Sequence, residues 1–292
     1  MKLKIKRGKM KTEELLKNGI KILEKEAVQD SRIKAKVLLK FVLQKNEQQL
    51  VASLYDKVSL SNQEKYLCFL QEILQGKPLQ YITNNQEFMG LNFYVDENVL
   101  IPQPDTEILV QEAIKITEEK LKEKSCIEIL DLCTGSGAIA IALKHYFKDS
   151  VLVYGTDISK EAVLVAKKNA EANNSYVNFF VSDRFKSITK TFDIIVSNPP
   201  YIETNVIKNL TKDVRKEPHI ALDGGKDGLE FYRVISNEGH KFLKEDGYIL
   251  VEIGYKQKQS VIKIFEDKNM YEIMASVKDL ASNDRVIIVR RT

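Results

Sequence analysis

IEILDLCTGSGAIAIALKHYF, residues 127–147, decides the fold. Ile127–Leu132 is a short apolar run rich in branched residues, the pattern of a buried strand. Cys133-Thr134-Gly135-Ser136-Gly137 then turns the chain. Its glycines let backbone approach a ligand, and a helical pattern follows directly, so free N–H groups face the turn. Working outward, six more strand-like runs follow: VLVYGT (151–156), VNFFVS (177–182), FDIIVS (192–197), GYILVE (247–252), MYEIMASV (270–277) and RVIIVR (285–290). Helical patterns such as SKEAVLVAKKNAEAN (159–173) separate several of them. The alternation predicts an α/β fold with a mostly parallel seven-stranded sheet, covered on both faces. Such sheets bind ligands outside the carboxyl ends of their strands.

Upstream the periodicity changes. LLKNGIKILEKE (15–26), RIKAKVLLKFVL (32–43) and EKYLCFLQEIL (64–74) repeat apolar residues at helical spacing. Ser61 with Glu64 has capping-box spacing at the start of the third helix, and Gly76 and Pro78 close it. EFMGLNFYVDENVLI (87–101) is aromatic and branched, with Gly90 and an Asp-Glu-Asn turn at 96–98, and predicts a β-hairpin. PQPDTE (102–107) opens a long helix with Asp105 or Thr106 as cap. The expected organisation is a basic extension over 1–9, a helical domain over 10–83, a hairpin linker over 84–101 and the α/β domain over 102–292.

The 292 residues carry a net charge of +4. Lys2, Lys4, Lys6, Arg7 and Lys9 alone contribute five positive charges, so the remainder carries −1, not the excess of a dedicated nucleic-acid binder. No apolar stretch approaches the roughly 18 residues of a membrane span, and no apolar signal-peptide core follows the basic N-terminus. Cys68, Cys126 and Cys133 are few and odd in number, which suits a reducing cytoplasm. Neither they nor His145, His219 and His240 have metal-ligand spacing, so no metal is expected.

The strand ends carry the chemistry. Gly135 and Gly137 form a Gly-x-Gly pair with Ala140 in place of a third glycine, a pattern that also serves as a plain tight turn. Asp157 ends the second strand, where a carboxylate can accept two ribose hydroxyls; Ser159 is the better-placed helix cap. Together Gly135, Gly137 and Asp157 point to a nucleoside cofactor. Asp183-Arg184 after the third strand offers a carboxylate and a planar cation for an adenine edge and face, or else a turn. The fourth strand ends in Asn198-Pro199-Pro200-Tyr201. The Asn198 side-chain oxygen and the Pro199 carbonyl can take both hydrogens of a planar NH₂ group while Tyr201 stacks on its π-face. An amide or arylamine nitrogen is a poor nucleophile. Two acceptors orient it and stabilise the charge it gains when it attacks a sulfonium methyl.

DLCTGSGAIA, GTDIS, SNPPYI, EPHIALDGGKDGLEFYR and GYILVEIG, in this order and with GKPLQYI at 76–82, resemble the peptide chain release factor N5-glutamine methyltransferases, the PrmC/HemK family. The resemblance covers nearly the whole chain. Asn-Pro-Pro-Tyr also occurs in adenine-N6 and guanine-N2 nucleic-acid methyltransferases, whereas the 217–229 block and the helical domain select the glutamine branch. The resemblance implies a class I methyltransferase fold with S-adenosylmethionine as cofactor and S-adenosylhomocysteine as product. It implies as substrate the glutamine of the Gly-Gly-Gln motif in class 1 release factors, and a helical domain that grips the factor. Carried onto this sequence, Asp131, Cys133, Thr134, Gly135, Ser136, Gly137, Asp157, Ile158, Asp183, Arg184 and Asn198 hold the cofactor, and Asn198, Pro199, Pro200 and Tyr201 hold the glutamine amide. Neither a membrane nor a nucleic acid is required.

Two departures stand out. Gln103 replaces the family's arginine in the segment before the long helix, and Arg184 stands where an aromatic often follows the third-strand aspartate. The alternatives are an exocyclic-amine methyltransferase of nucleic acids, opposed by the near-neutral body, and a cofactor-binding module without catalysis, opposed by the intact Asn-Pro-Pro-Tyr.

Overall fold

The computed structural model describes residues 9–292, so the basic extension expected over 1–9 lies, except for its last residue, outside the described residues. The chain divides into two compact units. The first runs to Asn84 and includes Thr211–Lys216; the second comprises 85–210 and 217–292.

The first unit is helical: α1 (Thr12–Lys25), α2 (Ser31–Leu43), α3 (Glu47–Ala52), α4 (Leu60–Leu74) and α5 (Leu79–Thr83). Their apolar stripes bury Leu15, Leu23, Leu38, Leu39, Leu50 and Leu70 in one core. Tyr66 fills its centre and donates to the Ala35 carbonyl at 3.0 Å. A Cβ at Gly19 would fall 2.0 Å from the Tyr66 oxygen, so α1 passes this ring only with glycine there. Helix α4 starts earlier than the capping-box spacing suggests. Ser59, with an extended backbone, accepts the Asn62 N–H at 3.2 Å, while Ser61 lies inside the first turn.

The second unit opens with a hairpin of β1 (Gln86–Phe88) and β2 (Leu91–Phe93). Met89 and Gly90 both take positive φ, 51° and 74°, which makes a two-residue turn matched to strand twist. Asp96-Glu97-Asn98 is a separate turn closed by the Asp96 side chain, and no strand follows it. Phe88 and Phe93 pack edge to face into the core of this unit. Helix α6 (Thr106–Leu121) has no side-chain cap. Asp105 is drawn away by Arg285 at 3.0 Å, and the Thr106 hydroxyl receives the Asn198 amide at 3.1 Å.

The remaining elements are β3 (Ile127–Leu132), α7 (Ala138–Phe147), β4 (Val151–Asp157), α8 (Lys160–Ala172), β5 (Asn178–Val181) and β6 (Phe192–Ser197), then the single-turn helices α9 (Thr204–Ile207) and α10 (His219–Leu222). After them come α11 (Glu230–Glu238), β7 (Leu243–Glu252), α12 (Lys258–Glu266), β8 (Tyr271–Lys278) and β9 (Asp284–Arg291). The seven-stranded sheet has the order β5-β4-β3-β6-β7-β9-β8. β3 to β7 are mutually parallel, and β9 runs antiparallel to both its neighbours. Period-two alternation assigns each strand two faces. Ile127, Ile129 and Val196 pack with residues of α6, α7 and α8, whereas Leu130, Leu132 and Val251 pack with residues of α11 and α12. Strand order reverses between β3 and β6, which opens a crevice at their carboxyl ends.

Candidate active site

The strand ends meet on one edge. Leu132 pairs with Thr156 on one side and Ser197 on the other, and Ser197 pairs with Val251. A cavity of about 530 Å³ opens there. Cys133, Gly135, Asp157, Ile158, Asp183, Arg184 and Pro200 line it. Asp131, Thr134, Ser136, Gly137, Asn198, Pro199 and Tyr201, also expected in the site, stand outside its wall.

Asp131 instead braces the loop from below. Its Oδ2 accepts the Thr134 hydroxyl at 2.5 Å and the Ala140 N–H at 3.2 Å, while Oδ1 has no hydrogen-bond partner among the described residues. Complete burial pushes its carboxyl up to about 7 against those two bonds. The loop above it is tightly wound: Cys133, Gly135 and Gly137 all take positive φ. At Cys133, φ +64°, a side chain occupies a conformation that costs about 1 kcal/mol. Burial drives its thiol far above the ordinary range, consistent with an inert wall residue.

Asp157 ties the two nearest turns together. Oδ2 accepts the Gly135 N–H at 2.9 Å and Oδ1 the Ser159 N–H at 3.0 Å, which leaves lone pairs on both oxygens. Burial raises its carboxyl despite these bonds. The cap of α8 is Ser159, which accepts the Ala162 N–H at 3.1 Å. Asp183 pairs with Lys186 at 2.5 Å, and that bond lowers its carboxyl. Arg184 turns its guanidinium to Glu230 at 2.6 Å and over the Phe231 ring, so at the cavity wall it is an anchor for α11. Gln103 donates to the Ile101 carbonyl at 2.9 Å, a local tie in place of the charge seen in the family pattern.

At the fourth strand end, Asn198 Nδ2 donates to Thr106 Oγ1 at 3.1 Å. Asn198 Oδ1 and the Pro199 carbonyl make no hydrogen bond among the described residues. Tyr201 donates to Glu252 Oε1 at 3.4 Å. Burial, with the Glu252 charge, pushes its phenol up, so Tyr201 stays protonated.

The 217–229 block earns a physical reason here. The Ile202 N–H reaches the Leu222 carbonyl at 3.0 Å and the Gly224 N–H reaches the Ile202 carbonyl at 2.8 Å, so the block runs beside Tyr201 like a short strand. A Cβ at Gly224 would stand 2.7 Å from Tyr201 Cα, and one at Gly228 2.4 Å from the Tyr201 carbonyl. Gln257 stitches both together, donating to the carbonyls of Tyr201 at 2.9 Å and Gly228 at 3.2 Å. Glu217 accepts the Ile101 N–H at 2.9 Å. Thr106, Glu252 and Gln257 were not among the expected site residues. A polar residue closing an apolar run, as Glu252 closes GYILVE, was the available signal.

Comparison with known proteins gives the family. Residues 14–83 match the PrmC N-terminal domain and residues 109–226 the methyltransferase small domain. A release factor glutamine methyltransferase of Fusobacterium nucleatum is 38% identical over 95% of this chain and 78% of its own. Its counterpart in Clostridium acetobutylicum is 38% identical over 88% and 90%, and that of Lactococcus lactis 43% over 74% and 78%. The chain belongs to the release factor glutamine methyltransferase family. Among solved structures, a methyltransferase from Pyrococcus furiosus aligns over 77% of this chain and 98% of its own with a TM-score of 0.50 at 21% identity. The hMettl16 catalytic domain aligns over 73% and 82% with a TM-score of 0.54 at 17% identity. These likenesses concern the fold, that of class I methyltransferases.

A release factor glutamine methyltransferase uses S-adenosylmethionine, and the residues present fit it. The cavity has the volume of sites that enclose a molecule of that size. The open lone pairs of Asp157 suit a ribose diol. Ile158 and Ile220, half-exposed at the wall, offer apolar surface of the kind that a purine ring covers.

Proposed function

We propose that the chain transfers a methyl group from S-adenosylmethionine to the side-chain amide nitrogen of the glutamine in the Gly-Gly-Gln motif of class 1 release factors. The observation that carries this reading is the held Asn198 amide. With Nδ2 committed to Thr106, Oδ1 and the Pro199 carbonyl are acceptors for the two hydrogens of the substrate amide. The cofactor supplies an electrophilic sulfonium methyl. Asn198 and Pro199 fix the nitrogen in line with it and stabilise its developing positive charge. Tyr201, kept neutral, covers the π-face of the amide. The nitrogen loses its proton to water after transfer. No residue here need act as a strong base.

On the cofactor side we assign Asp157 to the ribose, Ile158 and Asp183 to the adenine end, and the Cys133–Gly137 loop, with Asp131 beneath it, to the methionine end. Arg184 contributes by holding α11 against the cavity. Residues 10–83 are read as the release-factor recognition domain, 84–101 as linker and 102–292 as the methyltransferase domain. The location is inferred to be cytoplasmic; no helix of the described residues is long and apolar enough to cross a membrane.

Methyl transfer to purified release factor, mapped by peptide mass, tests this. The unaltered enzyme should add one methyl to the loop glutamine. Asn198→Ala should lower the rate by at least about 100-fold, the scale of losing a preorganised polar contact, while still binding S-adenosylhomocysteine. Unchanged turnover in Asn198→Ala would sink the mechanism.

A further inference from the structure

Asn198 can present either end of its amide to a substrate, and only one end accepts hydrogen bonds. Its Nδ2 donates to Thr106 Oγ1 at 3.1 Å. Thr106 is 4% exposed and has a single hydroxyl proton, which must point elsewhere when a lone pair receives Asn198. The Glu252 carboxyl is close enough for that hydroxyl to lower it, but the two form no hydrogen bond among the described residues. The sheet puts it there: Ser197 pairs with Val251, so Asn198 and Glu252 both lie one step beyond that rung. Glu252 is 2% exposed, its Oε2 has no hydrogen-bond partner among the described residues, and its Oε1 receives Tyr201. Arg285 and Asp105 face the same carboxyl with opposite effects on its charge, and Tyr232 donates to the Glu252 carbonyl at 2.9 Å.

We propose that Thr106 is a positioning residue that locks the Asn198 amide with Oδ1 toward the substrate nitrogen. The proposal rests on Asn198 as the acceptor for that nitrogen. With its proton turned away from Nδ2, the Thr106 hydroxyl offers a lone pair to Asn198. Without the hydroxyl, Nδ2 loses its partner and the amide can rotate. A rotated amide sets N–H donors against the NH₂ of the substrate.

Thr106→Val removes the hydroxyl at nearly constant shape, and Thr106→Ser keeps it. In full-length enzyme with purified release factor, Thr106→Val should lower kcat by about 100-fold, the scale of a misplaced reacting group. KM for the factor and affinity for S-adenosylhomocysteine should stay within about two-fold, because ground-state binding is untouched. Thr106→Ser should restore most of the rate. A residue that only supported the fold would lower thermal stability and product affinity together, with kcat following them. If Thr106→Val folds poorly, Thr106→Ala carries the same expectation. A hydroxyl-free variant with unchanged kcat would overturn the role of Thr106. If Asn198→Ala were also fully active, the failure would lie in the substrate-binding reading itself; if Asn198→Ala were inactive, only the role of Thr106 would fall.

Discussion

The two edges of the parallel sheet carry the same residue types and treat them in opposite ways. At the amino edge, Asp193 is fully buried yet receives Lys124 at 2.6 Å, Lys244 at 2.9 Å and the Glu128 N–H at 2.9 Å. Glu128 in turn takes Lys190 and, at 2.9 Å, Lys244. Burial pushes both carboxyls up, but these bonds outweigh it and both end below the ordinary range. At the carboxyl edge, Asp131 and Glu252 each keep one oxygen without a hydrogen-bond partner. There burial dominates and drives both up to about 7. The amino edge is electrostatically complete. The carboxyl edge leaves buried acceptors unpaired beneath the candidate site, a signature expected of a functional site.

The comparison can be broken first at the amino edge. Asp193→Ala should cost about 2–3 kcal/mol in denaturant unfolding, below the upper end for buried pairs because the lysine ends reach water. The kcat of the folded variant should be unchanged. A cost under about 0.5 kcal/mol would reduce that cluster to an ordinary surface ion pair.

A smaller effect should appear as opposite pH dependences. For Asp131 and Glu252 the folded-state value, about 7, lies above the unfolded value near 4, so the folded chain binds more protons between those limits. Their contribution to stability therefore rises as pH falls from about 8 to about 5. Asp193 and Glu128, lowered on folding, stabilise above their unfolded values and lose that contribution as pH falls below about 4. Melting temperature should peak near pH 5, and Glu252→Gln should make only the alkaline side shallower, with the Asp131 contribution remaining. A profile flat from pH 5 to 8 would contradict the raised carboxyls.

The contrast was half legible in the sequence. Sheet, crossovers and strand-end loops follow from local periodicity, because a buried strand and an amphipathic helix each reveal themselves within one window. Asp157 and Asn198 were visible because glycine turns and prolines mark strand ends. Thr106 and Glu252 were not, since their meaning lies in contacts between residues far apart in sequence, 92 positions between Thr106 and Asn198 and 51 between Glu252 and Tyr201. Thr106 even looked like a helix cap, and only the approach of Asn198 gives its hydroxyl another task. Ser61 misled for the converse reason: its spacing was right, but Ser59 has the extended backbone that a cap needs.

The most direct test is calorimetric titration of S-adenosylhomocysteine into Asp157→Ala and Asp193→Ala, one carboxylate removed from each edge. Loss of the proposed ribose acceptor should weaken binding at least about ten-fold in Asp157→Ala, the value of a hydrogen bond to a charged group. Asp193→Ala should bind as the unaltered protein does. Equal affinities in the two variants, or a loss confined to Asp193→Ala, would contradict the division of the sheet into a stabilising edge and a ligand edge.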